Sequence, residues 1–596
     1  MSTSKPTGAN VRTRTVVSGG VSLAVFEQGG EPGPERPTVL LVHGYPDSHR
    51  VWDDVAEALA ADGGCHVVRY DVRGAGESGA PADRSGYRLE QLADDLFAVA
   101  EAVSPARPVH LVAHDWGSIQ SWEAVTDPRA VGCLASFTSL SGPCLDHIGH
   151  WFRHRITRPG PRQLRQLLAQ TAHSWYIAAF HLPVAAPMVW RFGLARRWDK
   201  VLHRLEGVTP RPGHPQPTLR KDAVRGIGLY RANMLPRILH PRERRAEIPV
   251  QVITLTKDHY VSPALTEGLE RWVPDLSRRT LPATHWSALL EKGTTVARMV
   301  REFTDRVDSG KRGERPRRPD LPGDKPFAGK LAVVTGAGGG IGRATALAFA
   351  ERGATVVVCD IDLAAAERTA ELARVLGAAG HAYQVDVSDG KAVESFAAEV
   401  AADHGVPDIV VNNAGVGHSG TFLATADEEW RRVLDVNLWG VIHGCRAFGS
   451  RMAERGEGGH IVNLASAAAY LPSKVLAAYA TSKAAVFMLS DCLRAELAAD
   501  GIGVSTICPG IVNTNITRTT TFSGLSAAAQ AAKQSRISGM YAKRNFPPEK
   551  VADQIVAAVL HRRAVVPVTA EAKAARLIGR VAPSLLRAAA RLNATG

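Results

Sequence analysis

The sequence predicts two α/β domains in tandem, and three observations carry that prediction. On each side of residue 309, short β-branched strands alternate with helical patterns, the signature of largely parallel sheets. Segment 309–330, SGKRGERPRRPDLPGDKPFAGK, is rich in Pro, Gly and charge without apolar periodicity, so it reads as a linker. A basic, Trp-rich stretch at about 145–245 interrupts the first run, as an insertion between two strands would. At 596 residues, 45% apolar and 22% charged, the composition excludes a disordered, collagen-like or fibrous chain.

The first run includes strands at 37–44, 66–74, 109–114 and 249–258; the second at 330–337, 354–360, 407–415, 460–466 and 503–510. The start, MSTSKPTGANVRTRTV, has no apolar h-region, and no window reaches about 18 uninterrupted apolar residues. A cytoplasmic protein is expected, with peripheral contact at the inner membrane surface as the membrane alternative. Seven cysteines lack CxxC or Cys/His metal spacing, so reduced core residues and no metal are expected. The net charge of +13 is concentrated: residues 151–245 hold 19 Lys/Arg and 4 Asp/Glu, a balance of 19 − 4 = +15. No recognition motif accompanies that patch, so nucleic acid is not an expected partner. A solvated arginine-rich surface, or one facing an anionic lipid or acidic carrier, remains.

In the first half, Ala113-His114-Asp115-Trp116-Gly117 joins an apolar strand to a helical stretch. Small residues flanking a central nucleophile at such a turn form an elbow that lifts one side chain above the sheet. Here that side chain is the Asp115 carboxylate, so a covalent intermediate would be an alkyl ester. Asp258 and His285 follow in the chain order nucleophile, acid, histidine. After His43-Gly44, the backbone N–H of Tyr45 would join that of Trp116 as an oxyanion hole. With Asp71-Val-Arg73-Gly-Ala-Gly76, these motifs make residues 10–305 resemble an α/β-hydrolase of the epoxide hydrolase group, with a cap at about 145–245; Ala113 replaces the usual Gly. The resemblance implies that Tyr176 and Tyr230, in cap segments Ser174-Trp175-Tyr176 and Tyr230-Arg231-Ala-Asn233, donate to the epoxide oxygen while Asp115 attacks carbon. Haloalkane dehalogenases share the Asp but usually place Asn where Tyr45 stands, and defluorinating relatives usually place Arg where Trp116 stands.

In the second half, Thr335-Gly336-Ala-Gly338-Gly339-Gly340-Ile341-Gly342 joins a strand to a helix, where glycines let the backbone approach a pyrophosphate. The spacing Gly336-x3-Gly340-x-Gly342 makes 329–596 resemble a short-chain dehydrogenase/reductase, and 306–328 the linker before it. The full expectation is an α/β-hydrolase fold with a helical cap, then a Rossmann-type doubly wound parallel sheet. The resemblance implies adenine contact at Asp386 and Val387 and ribose contact near Asn413, Ala414 and Gly415. It places Pro509, Gly510, Val512 and Thr514 against the nicotinamide. Tyr479 and Lys483 share one helical face at i, i+4, where the ammonium favours the phenolate that acts as base. Ser466 would orient the substrate oxygen and Asn437 a relay water. Asp360, eighteen residues after Gly342, accepts from ribose hydroxyls and repels a 2′-phosphate, favouring NAD over NADP despite nearby Arg343.

The expected activity is therefore twofold: epoxide hydrolysis to a diol, and NAD-dependent alcohol/carbonyl oxidoreduction on a small apolar, lipid-like substrate. The rivals are an active dehydrogenase with a hydrolase-like binding module, and a dehalogenase or esterase first half. Short-chain dehydrogenases commonly self-associate, so a homo-oligomer through that domain is expected. The basic, partly amphipathic stretch 573–592 would pack on the dehydrogenase or at a subunit contact, with the membrane surface as alternative.

Overall fold

The computed structural model describes residues 11–33, 36–61, 64–209, 211–310, 325–514 and 516–592. The chain divides into two compact units at Pro322/Gly323. The first is built on an eight-stranded sheet. Its strands are β1 (Arg12–Ser18), β2 (Val21–Gln28), β3 (Thr38–Val42), β4 (His66–Tyr70), β5 (Val109–His114), β6 (Leu134–Leu140), β7 (Val250–Leu255) and β8 (Leu276–Leu281). They lie in the order β1-β2-β4-β3-β5-β6-β7-β8. β1 and β2 pair antiparallel and β2 meets β4 antiparallel; β3 to β8 are parallel. Parallel strands covered on both faces must be apolar throughout. β3 obeys: Val39 and Leu41 enter one core layer, Leu40 and Val42 the other.

Between β6 and β7 stands the cap, whose helices include Leu145–Thr157, Pro161–His173, Trp175–Phe180, Ala185–Val189 and Leu219–Leu239. The second unit has seven parallel strands, β9 (Leu331–Thr335), β10 (Thr355–Asp360), β11 (Gly380–Gln384), β12 (Ile409–Asn412), β14 (Gly459–Leu464), β15 (Ile502–Cys508) and β17 (Val565–Pro567). Their order is β11-β10-β9-β12-β14-β15-β17, with a reversal between β10/β9 and β12 that opens the ligand-binding crevice of such folds. A two-stranded ribbon, β13 (His418–Ser419) with β16 (Thr521–Phe522), precedes the helix Ala527–Arg544.

The structure amends several expectations. The helix Gly293–Asp308 runs past residue 305, and Asp308 accepts a hydrogen bond from His110 at 3.2 Å, so 306–308 belong to the first unit. Phe327, expected in the linker, is buried against Phe349 with ring centroids 5.0 Å apart. The central linker residues, 311–324, lie outside the described residues. All seven cysteines are free, but Cys133 and Cys492 are exposed and not core residues. The stretch 573–592 is two helices, Ala570–Val581 and Pro583–Leu592, because Pro583 cannot continue the first. Among the described residues, no helix is long and apolar enough to cross a membrane.

Candidate active sites

Asp115 sits between β5 and the helix Trp116–Val125 with φ 53° and ψ −128°, a left-handed backbone that a non-glycine residue adopts only under constraint. That turn lifts the carboxylate above the sheet, where the Tyr45 N–H donates to Oδ2 at 2.7 Å. Gly44 has to be glycine: a Cβ there would lie 2.4 Å from Asp115 Oδ2 and 2.7 Å from the Trp116 nitrogen. Of the two expected oxyanion-hole positions, Tyr45 thus reaches one carboxylate oxygen, and the Trp116 nitrogen lies beside the same Gly44 turn. The other, Oδ1, lies 3.6 Å from His285 Nε2.

His285 Nδ1 meets Asp258 Oδ2 at 3.1 Å. Asp258 does not end its strand as expected; β7 stops at Leu255, and the carboxylate is held in a turn whose Tyr260 and Val261 N–H groups donate to Oδ1 at 2.7 and 3.1 Å. Burial alone would raise the Asp258 carboxyl, but His285 and these donors outweigh it and hold it below the ordinary carboxylate range. Burial alone would lower His285; the charges of Asp258 and Asp115 prevail and raise it well above an ordinary imidazole. His114, one residue before the nucleophile, is pushed down to about 4 by burial, and its Nε2 donates to the His285 carbonyl at 3.0 Å.

The cap supplies an aromatic cage. Tyr230 packs edge-on against Trp116 (4.8 Å between centroids), Tyr45 (5.4 Å) and Tyr176 (6.1 Å). Burial, followed by neighbouring phenols and Asp115, holds Tyr230 far above the ordinary phenol value. Burial, then Asp115, does the same for Tyr176. Both phenols therefore stay protonated and able to donate. Asn233 fixes the Tyr230 helix by accepting from the Leu89 N–H at 3.0 Å and donating to the Tyr87 carbonyl at 2.8 Å.

In the second unit, Gly336 (φ 61°) and Gly340 (φ 53°) shape the turn after β9. Asp360, the last residue of β10, accepts the Gly338 N–H at 2.8 Å through Oδ2, and a Cβ on Gly338 would lie 2.7 Å from that oxygen. Nothing lies within 4 Å of a Cβ placed on Gly339, and Thr514 comes within 3.3 Å of one on Gly340. This open turn heads the helix Gly340–Glu351, which includes Ile341 and Gly342. Such a helix N-terminus fits an anionic pyrophosphate. Asn413 braces the turn by donating to the Thr335 and Gly336 carbonyls at 2.9 and 3.0 Å. Arg343 likewise turns inward, bonding Thr369 Oγ1 at 3.1 Å and the Gly338 carbonyl.

Lys483 Nζ lies 6.0 Å from the Tyr479 ring centre and donates to the Leu464 carbonyl at 2.8 Å. Burial pushes its ammonium down to about 8. Ser466 stands two residues beyond β14, capping the next turn through the Ala468 N–H at 3.2 Å. The Asn437 side chain is held in place: Oδ1 accepts the Val416 N–H at 2.8 Å while Nδ2 donates to the Val416 carbonyl and Ser482 Oγ. A Cβ on Gly415 would approach both Asn437 Oδ1 and Lys483 Nζ, at 3.1 and 3.5 Å, which places these two side chains in one neighbourhood. Val387 and Val512 point into the core, leaving only their main chains to meet a ligand. Asp386 is exposed, with Oδ1 accepting from the Ser388 N–H and hydroxyl. Pro509 accepts from Ser466 at 3.5 Å, and Gly510 lies against Thr569 and Glu571. The Ala414 N–H donates to Thr335 Oγ1 at 3.1 Å. No group of His, Cys, Asp or Glu that could hold a metal occurs among the described residues.

A family model described as the alpha/beta hydrolase fold matches residues 37–172, and one for short chain dehydrogenases matches 330–522. The chain is 45% identical over 587 residues to the "Probable oxidoreductase EphD" of Mycobacterium tuberculosis, covering 96% of this chain and 97% of that one. This chain belongs to the EphD family. The chain joins a hydrolase-fold domain to a short-chain dehydrogenase domain, and the latter implies a nicotinamide cofactor. The dehydrogenase half is also 36% identical over 192 residues to the 2,3-dihydro-2,3-dihydroxybenzoate dehydrogenase of Bacillus subtilis (32% of this chain, 73% of that one). It is 40% identical over 191 residues to the D-threitol dehydrogenase of Mycolicibacterium smegmatis (32% and 72%). A crystal structure of a short-chain dehydrogenase from Burkholderia phymatum in complex with NAD aligns at 30% identity and TM-score 0.40, covering 44% of this chain and 95% of that chain.

In this EphD-family chain, sequence reasoning missed Ser141 and Tyr260. Ser141 Oγ bonds Asp258 Oδ2 and lies 3.2 Å from His285 Nδ1, so it holds the acid–histidine pair. Tyr260 stacks edge-on with His285 at 5.0 Å and with Tyr176 at 5.6 Å. Ser141 follows a strand, β6, that the sequence reading left unassigned; Tyr260 had a signal, lying two residues after Asp258.

Proposed function

We propose that the chain is a bifunctional enzyme that hydrolyses an apolar epoxide to a vicinal diol and oxidises an alcohol of that class with NAD. The observation that carries the first half is Asp115 between the Tyr45 N–H and His285, under two buried phenols. Oδ1 attacks an epoxide carbon, the ring C–O bond breaks, and the alkoxide takes a proton from Tyr176 or Tyr230. His285 then removes a proton from water, whose oxygen adds to Asp115 Cγ; negative charge collects on Oδ2, facing the Tyr45 and Trp116 N–H groups. The Cγ–Oδ1 bond breaks, the diol leaves with Oδ1 after taking the proton back from His285, and the proton of the regenerated Asp115 carboxyl returns to the phenolate left by ring opening. Ester formation removes the Asp115 charge, one of the groups that raises His285, so the proton affinity of the imidazole falls and it stands neutral, free to accept a proton, when the base is needed.

In the second half, Tyr479 takes the alcohol proton, with Lys483 favouring the phenolate and Ser466 orienting the oxygen. When bound, the nicotinamide accepts the hydride. Gly336, Gly340 and Gly342 would hold its pyrophosphate and Asp360 its adenosine ribose. Asp360 at the strand end, with Arg343 drawn onto Gly338 and Thr369, supports NAD over NADP. Two relatives whose names describe polyhydroxylated substrates, the dihydroxybenzoate and threitol dehydrogenases, favour a diol.

The test of the hydrolase half is a single turnover in ¹⁸O water. The first diol carries unlabelled oxygen and Asp115 acquires the label; label in the first diol contradicts the ester route. A cytoplasmic homo-oligomer associated through the dehydrogenase domain completes the proposal.

A further inference from the structure

The outermost cap segment is apolar on two opposite sides. In the run 184–194, Ala186 and Trp190 are buried against the first core layer. Val184, Met188 and Phe192, each two residues from one of those positions, are exposed, Phe192 to 66% and within a π-helical turn, Trp190–Leu194. Val189 and the 71% exposed Trp175 extend the patch. A helix that is hydrophobic all round calls for a partner on its outer side, because water pays no return for such a face.

Charge identifies the partner. Residues 153–204 contain ten Lys/Arg and one acid, Asp199, a balance of 10 − 1 = +9. Arg155 and Arg162 are paired with Glu267. Arg158, Arg165, Arg191, Arg196, Arg197 and Lys200 are exposed and form no ion pair among the described residues. Two copies meeting through this face would set like charge against like, so the surface does not suit self-association. An outward Trp and Phe in a cap segment rich in exposed arginines outside any ion pair matches instead the boundary between anionic headgroups and acyl chains.

We propose that this cap face docks on an anionic lipid bilayer. The patch is firmly tied to the site. Trp175 immediately precedes Tyr176, and Arg231, next to Tyr230, donates to the Phe180 and Leu182 carbonyls at 2.9 and 2.7 Å. Docking therefore holds both phenol-bearing segments beside the lipid from which an apolar epoxide would come. The docking itself does not depend on the epoxide reading.

The experiment is co-sedimentation of the full-length protein with vesicles of phosphatidylcholine alone or of equal parts phosphatidylcholine and phosphatidylglycerol. The wild type binds the anionic vesicles, releases in high salt, and ignores the neutral ones. Val184→Ser/Met188→Ser/Phe192→Ser and Arg191→Glu/Arg196→Glu/Arg197→Glu each lower binding by about tenfold or more. Turnover of a water-soluble epoxide, and of NAD with an alcohol, stays at the wild-type level and reports that the variants fold; single Phe192→Ser serves should the triple variant misfold. Absence of binding to anionic vesicles, or equal binding by the variants, overturns the proposal. So does a concentration-dependent dimer that the Ser variants dissociate. Vesicle binding without epoxide turnover would instead strike the hydrolase reading and leave the docking standing.

Discussion

The Tyr45 backbone N–H donates to Asp115 Oδ2 at 2.7 Å, so the nucleophilic carboxylate rests with one oxygen already in the oxyanion position. Oδ1 alone is left toward His285, 3.6 Å away. The division of labour between the two oxygens is set before substrate arrives. Asp115→Ala therefore abolishes diol formation while NADH production from alcohols continues, measured on the same preparation. Diol formed by the variant would remove Asp115 from its role.

On the proposed route Tyr176 and Tyr230 share the task of protonating the alkoxide, and each sits within the same edge-to-face cage. Either Phe variant slows ring opening modestly, since the second phenol still donates. The double variant loses about 10²–10⁴-fold in single-turnover alkylation. An enzyme indifferent to the double change would point to a dehalogenase.

His285 owes its raised value, against the lowering effect of burial, to Asp258 and Asp115. Asp115→Asn keeps the shape and removes one of those charges, so the titration midpoint of His285 falls, as read by NMR of ¹³C-labelled histidine. An unchanged midpoint contradicts the electrostatic account. The sign for stability follows: a raised folded-state value stabilises fully below the unfolded value of about 6.5 and the gain is lost as pH rises through the folded value. Denaturation of wild type and Asp258→Asn should accordingly converge at alkaline pH.

Ser141 bonds Asp258 and lies 3.2 Å from His285 Nδ1, yet never meets substrate in this mechanism. Ser141→Ala slows ester hydrolysis about tenfold, with ring opening nearly unchanged, because a hydrogen bond to a buried charge is lost. Rapid-quench detection of accumulated ester checks it; equal slowing of both steps would assign Ser141 a different part.

Tyr479→Phe leaves NAD binding nearly unchanged and lowers turnover by about 10²–10⁴-fold, whereas Asp360→Ala weakens NAD and narrows the NAD/NADP preference. Titration of both cofactors against each variant separates the two effects. A wild type that already prefers NADP contradicts the role given to Asp360.

The parallel strands were legible because burial on both faces makes them unbroken apolar runs, as in β3 and β9. β1, exposed at five of its seven residues, and β8, with two arginines, carry no such run and were not read. Motif residues were legible because backbone geometry restricts residue type, as Gly44 beside Asp115 shows. What a side chain does once there was less so. Asn413 and Asn437 both spend their amides on loop carbonyls and N–H groups, a choice fixed by three-dimensional neighbours that no spacing encodes. Ser141 was invisible for the same reason: it lies 117 residues from the carboxylate it holds.

The central claim is that one chain carries both an epoxide-opening and an alcohol-oxidising site acting in sequence. The direct measurement is NADH formation when an epoxide and NAD are supplied together to the wild type, Asp115→Ala and Tyr479→Phe. The account predicts NADH from the wild type alone, with Asp115→Ala rescued by adding the purified diol and Tyr479→Phe not rescued. If the diols of accepted epoxides yield no NADH with the wild-type enzyme, the sequence of reactions is contradicted.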